Sequence, residues 1–190
     1  MSDSVSGSDT VFHTRRCVVR PWHLADAPRF LDTYRRWEVA QWLGTHPKPV
    51  QTLDEAEARI TAWTENNHAA GLGGRWAVQR RDDGLVLGTV ILIPLPDGEG
   101  EIEVGWHFHP DSWGQGYATE AAHGALRYAH DAGVEEVLAV VRPDNDRSLA
   151  VCRRLGMDHL GRTTRYYGLE LELFRIRRGA GGHEPATLND

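Results

Sequence analysis

Two short stretches of this sequence carry residue types at spacings that suit chemistry. The first, Trp113-Gly114-Gln115-Gly116-Tyr117-Ala118, follows a strand-like run from Glu101 to Phe108. After it, Ala118, Ala121, Ala122, Ala125, Leu126 and Ala129 recur at helical spacing and mark one small-residue face. The N–H groups of a helix's first turn have no partner inside the helix, and the dipole favours negative charge there. Glycine at 114 and 116 lets an anion approach the backbone with no Cβ in the way. The stretch therefore implies a site for a phosphorylated cofactor. There is no Gly-x-x-x-x-Gly-Lys-Ser/Thr run and no dinucleotide fingerprint with its ribose-binding acid, so neither a P-loop nor a Rossmann site is supported. Taken alone, a Gly-x-Gly loop is equally well a tight turn.

A second stretch agrees with the first. Val137-Leu138-Ala139-Val140-Val141 is a short apolar strand that ends at Arg142-Pro143 and leads into Asp144-Asn145-Asp146-Arg147-Ser148. Asp144 and Asn145 are good helix N-caps, Leu149, Cys152 and Leu155 share a face, and Gly156 stops the helix. With both stretches in this order, the sequence resembles the GNAT superfamily of acetyl-CoA-dependent N-acetyltransferases, over roughly Phe12 to Arg177. The 113–118 turn is similar to that family's pyrophosphate-binding motif, Q/R-x-x-G-x-G/A. Asn145-x-x-Ser148 with Leu155-Gly156-Met157 is similar to its N-x-x-S…L-G-F signature. Gly105-Trp106-His107-Phe108-His109-Pro110, then the turn, then Thr119-Glu120-Ala121, resembles the branch that acetylates N-terminal amines of ribosomal proteins. Three positions depart from the pattern. Trp113 stands where many members have Gln or Arg, a change common in this branch, and Met157 replaces the usual phenylalanine. Cys152 occupies the place of the tyrosine that protonates the departing thiolate in many members.

The resemblance implies acetyl-CoA as acetyl donor and no metal. It assigns the pyrophosphate to Trp113, Gly114, Gln115, Gly116, Tyr117, Ala118 and Thr119, and the pantetheine arm to the strand end at Phe108 and His109. Asn145 is assigned to the cofactor arm, with helix capping as a role it can hold at the same time. Glu103 is the first candidate for the general base, because alternation puts it on the face of Gly105, His107 and His109. A carboxylate paired with an arginine is the equal alternative for Glu103, and His107 is the rival base. Ser148 is the best candidate acid, with Cys152, Tyr166, Tyr167 or bound water as alternatives.

Composition narrows the class. A chain of 190 residues suits one domain able to bury a core. No apolar run approaches the length of a membrane span, and Met1–Asp9 has neither the basic nor the apolar region of a signal peptide. Two cysteines without metal spacing suit a reducing cytoplasm. The net charge of −6 argues mildly against nucleic acid and for a cationic acceptor.

The elements that must position these residues follow from the pattern. A first strand is expected over Arg16–Arg20 and a helix near Ala25–Trp37. Thr52-x-x-Glu55 is a capping box opening a helix with Ala56, Ile60 and Trp63 as its buried stripe. Asp82-Asp83-Gly84 joins strands Arg75–Arg81 and Leu85–Ile93 as a hairpin. A strand over 101–108, a helix over 117–132, a strand over 137–142 and a helix over 146–155 come next, before closing strands near His159–Tyr166 and Glu170–Ile176. This order predicts an α+β sandwich, with a mixed sheet flanked by helices, antiparallel first and parallel at the ligand site. The resemblance adds that the sheet is splayed at its centre. An acetyltransferase domain over 11–178 is expected between a disordered tail over 1–10 and a flexible tail over 179–190. Trp22, Trp37, Trp42 and Trp63 fall in the N-terminal helices, which in the resembling families wall the acceptor site, with Trp42–Pro47 as a lip. Trp106 is expected to pack beneath the strand end, and Glu120 to stabilise the first helical turn.

The expected function is acetyl transfer from acetyl-CoA to a primary amine, either a protein or peptide N-terminus or a small molecule, by direct attack in a ternary complex. A non-catalytic acyl-CoA-binding sensor or scaffold is the alternative. Neither nucleic acid nor a membrane is an expected partner, and a homodimer is left open as the assembly.

Overall fold

A computed structural model describes residues 10–69 and 71–179 of the chain; the two expected tails, apart from Thr10 and Gly179, lie outside the described residues. The chain begins with a short hairpin, β1 (Phe12–His13) and β2 (Cys17–Arg20). Helices α1 (Ala27–Tyr34), α2 (Trp37–Ala40) and α3 (Leu53–Ala69) follow. Strands β3 (Gly74–Arg80), β4 (Val86–Pro94) and β5 (Ile102–Phe108) lead into α4 (Tyr117–Asp131). The rest is β6 (Glu136–Val141), α5 (Asp146–Arg154), β7 (Asp158–Thr163) and β8 (Leu171–Arg177). One eight-stranded sheet runs in the order β1-β2-β3-β4-β5-β6-β8-β7. Every neighbouring pair is antiparallel except β5 and β6, the parallel pair expected at the ligand site.

That parallel pair is short. Only Ile102↔Val137 and Glu103↔Leu138 are in register, after which the two strands part while both continue. The sheet therefore opens at its centre, with a wedge-shaped gap between Val104–Phe108 and Ala139–Val141.

Alternation sorts the two faces. On one, Trp76, Val78, Val90, Leu92, Val104 and Phe108 pack with Ala121, Ala122, Ala125 and Ala129 of α4. The small residues let that helix lie close to the sheet. On the other, Ala77 and Val86 pack under Trp22, Phe30, Tyr34 and Ile60.

The expected helix near Ala25–Trp37 is divided into a 3-10 turn at Leu24–Asp26 and then α1 and α2. The reason for the division is a competing acceptor bond. The Val50 N–H donates to the Tyr34 carbonyl at 3.0 Å, and Arg36 takes an extended conformation, ψ 123°. The capping box of α3 forms with one displacement. Glu55 N–H donates to Thr52 Oγ1 at 3.2 Å, but the Glu55 carboxylate accepts from Gln51 N–H at 2.8 Å, one residue ahead of the cap. Strand β7 stops at Thr163, three residues short of the expected Tyr166. Among the described residues no helix is long and apolar enough to cross a membrane.

Candidate active site

The gap between β5 and β6 opens into two cavities. One, of about 520 Å³, runs along the 113–119 turn and the start of α5. The other, of about 300 Å³, lies against the face that carries α1 and α3. They share Trp42, Leu43, Trp106, His107, Asn145 and Ser148, so these six residues form the throat between them.

The larger cavity runs past a glycine turn and two helix starts. Gly114 and Gly116 both lie in the left-handed region, φ +74° and +79°, where a side chain strains the chain. A Cβ on Gly114 would meet nothing within 4 Å, so the turn there faces open space. No side chain caps α4. Its Glu120 N–H is bonded to the Gly116 carbonyl at 3.0 Å, and the N–H groups of Tyr117, Ala118 and Thr119 come before any such bond. These features, with Arg147 and Arg154 on the same wall, suit a diphosphate-bearing ligand such as coenzyme A. Trp113 anchors the turn. Its indole N–H donates to the Phe108 carbonyl at 2.8 Å, and the Arg147 guanidinium stacks 4.1 Å from its ring centre. Gln115 turns away from the cavity, its amide donating to the Asp111 carbonyl at 2.8 Å.

The strand end needs a correction. His109 N–H donates to Leu87 O at 2.9 Å, and the His109 carbonyl accepts from Ser112 N and Oγ. Its ring bonds Asp32 at 3.0 Å and the Asp111 N–H at 3.2 Å. Every polar group of His109 is thus committed to scaffold, and it does not line the gap. The register that turns His109 N–H toward β4 turns the N–H groups of Trp106 and Phe108 toward the gap. Trp106 and Phe108, rather than the expected Phe108 and His109, are the strand-end residues whose N–H groups face the gap.

The smaller cavity brings together titratable residues from several elements. Glu103 is 7% exposed and accepts a 2.5 Å hydrogen bond from the Tyr167 hydroxyl. Burial pushes its carboxyl up to about 7, against the opposing effects of that bond and of the Arg75 charge. Such a group can both take and release a proton near neutrality. His107, two residues further on the same face, is pushed down to about 4 by burial and then by Arg75. It is neutral at pH 7, with Nδ1 3.3 Å from the Tyr34 hydroxyl, itself 2.6 Å from Thr89 Oγ1. Tyr167 sits in the left-handed region at φ +59°, a costly conformation for a tyrosine, and its own pKa is raised by burial and the neighbouring Glu103 charge.

The candidate acids separate by position. Asn145 Oδ1 caps α5 by accepting from Ser148 N–H at 3.2 Å, and the Ser148 hydroxyl lines the throat without a partner among the described residues. Cys152 is fully buried in the core beneath α5, and burial pushes its thiol up to about 12. It cannot reach the throat. Tyr166 is also core, packed with Leu95 and Leu138, its hydroxyl donating to Glu101 at 3.3 Å. Glu120 does more than sit in the first turn of its helix. It accepts from Thr14 Oγ1, Arg16 N and Arg16 Nε, which ties the β1–β2 hairpin to α4. Of the N-terminal tryptophans, Trp42 and Trp63 reach a cavity, Trp22 is core, and Trp37 is 56% exposed.

Tyr34, Arg59, Arg75 and Trp106 also wall the cavities, residues that the sequence alone does not assign to the site. Arg75 shares a row with Ile91 and Gly105 across three strands, a signal that exists only once register is known. Among the described residues no group of three or more His, Cys, Asp or Glu is placed to hold a metal ion.

Comparison with known proteins adds the following. A family model described as acetyltransferase (GNAT) domain matches residues 16–158. The chain is 26% identical over 149 residues to an uncharacterized N-acetyltransferase of Bacillus subtilis, YnaD, covering 78% of this chain and 82% of that one. In structure it is similar to Mycobacterium smegmatis RimJ in complex with CoA-disulfide, with TM-score 0.73, 18% identity and 85% and 81% of the two chains covered. It is likewise similar to ribosomal-protein-S5-alanine acetyltransferase from Vibrio fischeri, with TM-score 0.70, 18% identity and coverage of 90% and 98%.

Proposed function

The chain belongs to the GNAT acetyltransferase family, and on that premise we propose that it moves an acetyl group from acetyl-CoA to a primary amine by direct attack, with both substrates bound at once. The observation that carries this reading is the pair of cavities meeting at one throat, with a carboxyl near neutral pKa on the acceptor side. Acetyl-CoA supplies an activated thioester; the chain supplies position and proton handling.

On the donor side, the N–H groups of residues 114–119 and the charges of Arg147 and Arg154 hold phosphate. The Trp106 and Phe108 N–H groups orient the extended arm and offer a hydrogen bond to its carbonyl. On the acceptor side, ionised Glu103 takes a proton from the incoming ammonium. His107, held neutral, orients the amine through its ring, and the Ser148 hydroxyl relays a proton from water to the departing thiolate while the adduct nitrogen loses its excess proton to water. Cys152, buried and protonated, is not placed to act as a nucleophile at the throat. Its burial supports direct transfer over an acyl-cysteine. The acceptor is a peptide or protein N-terminus or a small-molecule amine, and the ribosomal-protein acetyltransferases among its structural neighbours support an α-amine.

Thiol release measured while both acetyl-CoA and amine are varied tests the reading. Intersecting initial-rate lines are expected. Parallel lines would mean an acyl-enzyme, and no release with any amine would remove the activity.

A further inference from the structure

The acceptor cavity is strongly cationic in a chain whose net charge is −6. Arg59, Arg75 and Arg142 line it, and among the described residues Glu103 is the only carboxylate that does. Among the described residues neither Arg59 nor Arg75 forms a hydrogen-bonded ion pair with a side chain, whereas Arg16, Arg20, Arg29, Arg36, Arg80, Arg162 and Arg177 do. Arg142 spends one nitrogen on the Gly44 carbonyl at 2.9 Å and also faces the cavity.

Arg75 is held at its backbone and beside a ring, and Arg59 shares the helix face that holds it. Arg59, Trp63 and Asn67 recur every fourth residue along α3 and so share one face of that helix. From that face Asn67 clasps the Arg75 backbone on both sides, accepting from its N–H at 2.7 Å and donating to its carbonyl at 3.0 Å. The Trp63 ring lies 5.8 Å from the Arg75 guanidinium. Across the sheet, the Arg75 row ends at Gly105, between Glu103 and His107. One helix face and one strand row thus aim positive charge at the cavity that also holds the base.

An acceptor offering only an ammonium would meet guanidinium repulsion there. One that also carries an anion would pair with the arginines and leave its amine to Glu103. We propose that Arg59 and Arg75, assisted by Arg142, form a carboxylate subsite, so that the acceptor is a small amine bearing a carboxylate, of the amino-acid class. The size of the cavity, about 300 Å³, suits one such molecule. This rests on the acetyltransferase reading for the amine, though not for the carboxylate.

The test uses matched probes: leucine, leucinamide and isopentylamine, and the same three forms built on phenylalanine. Binding is read by quenching of the cavity tryptophans, and turnover by CoA release, in wild type, Arg75→Gln, Arg59→Gln and Arg75→Lys. Rates are compared at pH 9, because the Arg75 charge also favours ionisation of Glu103. CoA titration checks that each variant is folded. The carboxylate-to-amide ratio of kcat/KM is expected to fall about tenfold or more in either Gln variant and to be partly restored in Arg75→Lys. Dividing variant by wild-type ratios cancels differences in amine basicity among the probes. Ratios unmoved by both Gln variants, or amides binding as well as acids in the wild type, overturn the subsite and leave the acetyltransferase standing. Arginine-dependent binding of the acids with no CoA release from any amine does the reverse.

Discussion

The two lobes of the cleft are built by opposite means. The donor lobe takes its phosphate-facing part from two continuous segments, 113–119 and 145–148, where the chemistry depends on which N–H groups a turn and a helix start leave exposed. The acceptor lobe is side chains gathered from Tyr34, Arg59, Arg75, Glu103, Arg142 and Tyr167, which lie on different elements of the fold. A backbone site tolerates much sequence change as long as its glycines and caps remain. A side-chain site changes specificity with single substitutions. One scaffold can therefore keep its acyl donor while its acceptor varies.

The sharpest way to break this division is Glu103→Gln. If proton transfer belongs to the acceptor lobe alone, turnover at pH 7 should fall roughly 100-fold, a usual loss for a general base, with CoA affinity unchanged. Part of the defect should return at alkaline pH, where the amine arrives already deprotonated. A rate–pH profile identical in shape to the wild type would remove Glu103 from the role. The same variant has a stability signature. The carboxyl titrates near 7 in the folded chain against an ordinary 4.5, so folding takes up protons. Stability from this group is full below pH 4.5 and is lost as pH rises through 7, by about 3 kcal/mol when buried this deeply. Glutamine should abolish that decline, visible as melting temperatures that separate from wild type between pH 5 and 8.

On the donor side the matching test is Gly116→Val. A β-branched residue at φ +79° costs roughly 1–3 kcal/mol, so the turn must shift and its N–H groups lose their aim. CoA affinity measured calorimetrically should drop about 10- to 100-fold. The pH dependence of turnover at saturating acetyl-CoA should stay where it was. A displaced pH profile would mean that the lobes are coupled through the throat.

The same division explains what could be read from the sequence. The donor lobe rests on local signals: glycines at 114 and 116 that do adopt positive φ, an Asn145 that does cap its helix, and an Asp82-Asp83-Gly84 hairpin that does turn. The break between α1 and α2 was not legible, because it depends on the Tyr34 carbonyl being claimed by a distant Val50 N–H. Nor was the exchange of 109 for 106 at the gap, since hydrogen-bonding parity is set by the pairing of β4 with β5. Cys152 looked like a substitute for a missing acid because sequence position gives a helix face but not its depth. The arginine subsite was invisible for a related reason. Net charge averages over the surface and reports nothing about one cavity.

Tyr166 and Tyr167 were indistinguishable in sequence, and the backbone separates them. The left-handed turn at Tyr167-Gly168 brings the second phenol onto Glu103, while the first stays in the core with Leu95. On the proposed reading Tyr167 tunes the base and Ser148 supplies the acid, and the two roles leave different traces. Its hydrogen bond lowers the Glu103 pKa from where burial alone would put it. Tyr167→Phe should therefore move the ascending limb of the rate–pH profile upward by about one unit, as expected for a lost bond to a charged acceptor. Turnover at pH 7 would fall several-fold and the alkaline plateau would be nearly kept. An acid role would instead lower the plateau at every pH, because the missing proton donor is not replaced by raising pH. Full pH profiles of wild type, Tyr167→Phe and Ser148→Ala, taken at saturating substrates, decide between them: a lowered plateau in Ser148→Ala alone keeps the acid on the throat helix, and one in Tyr167→Phe would transfer it to the acceptor lobe.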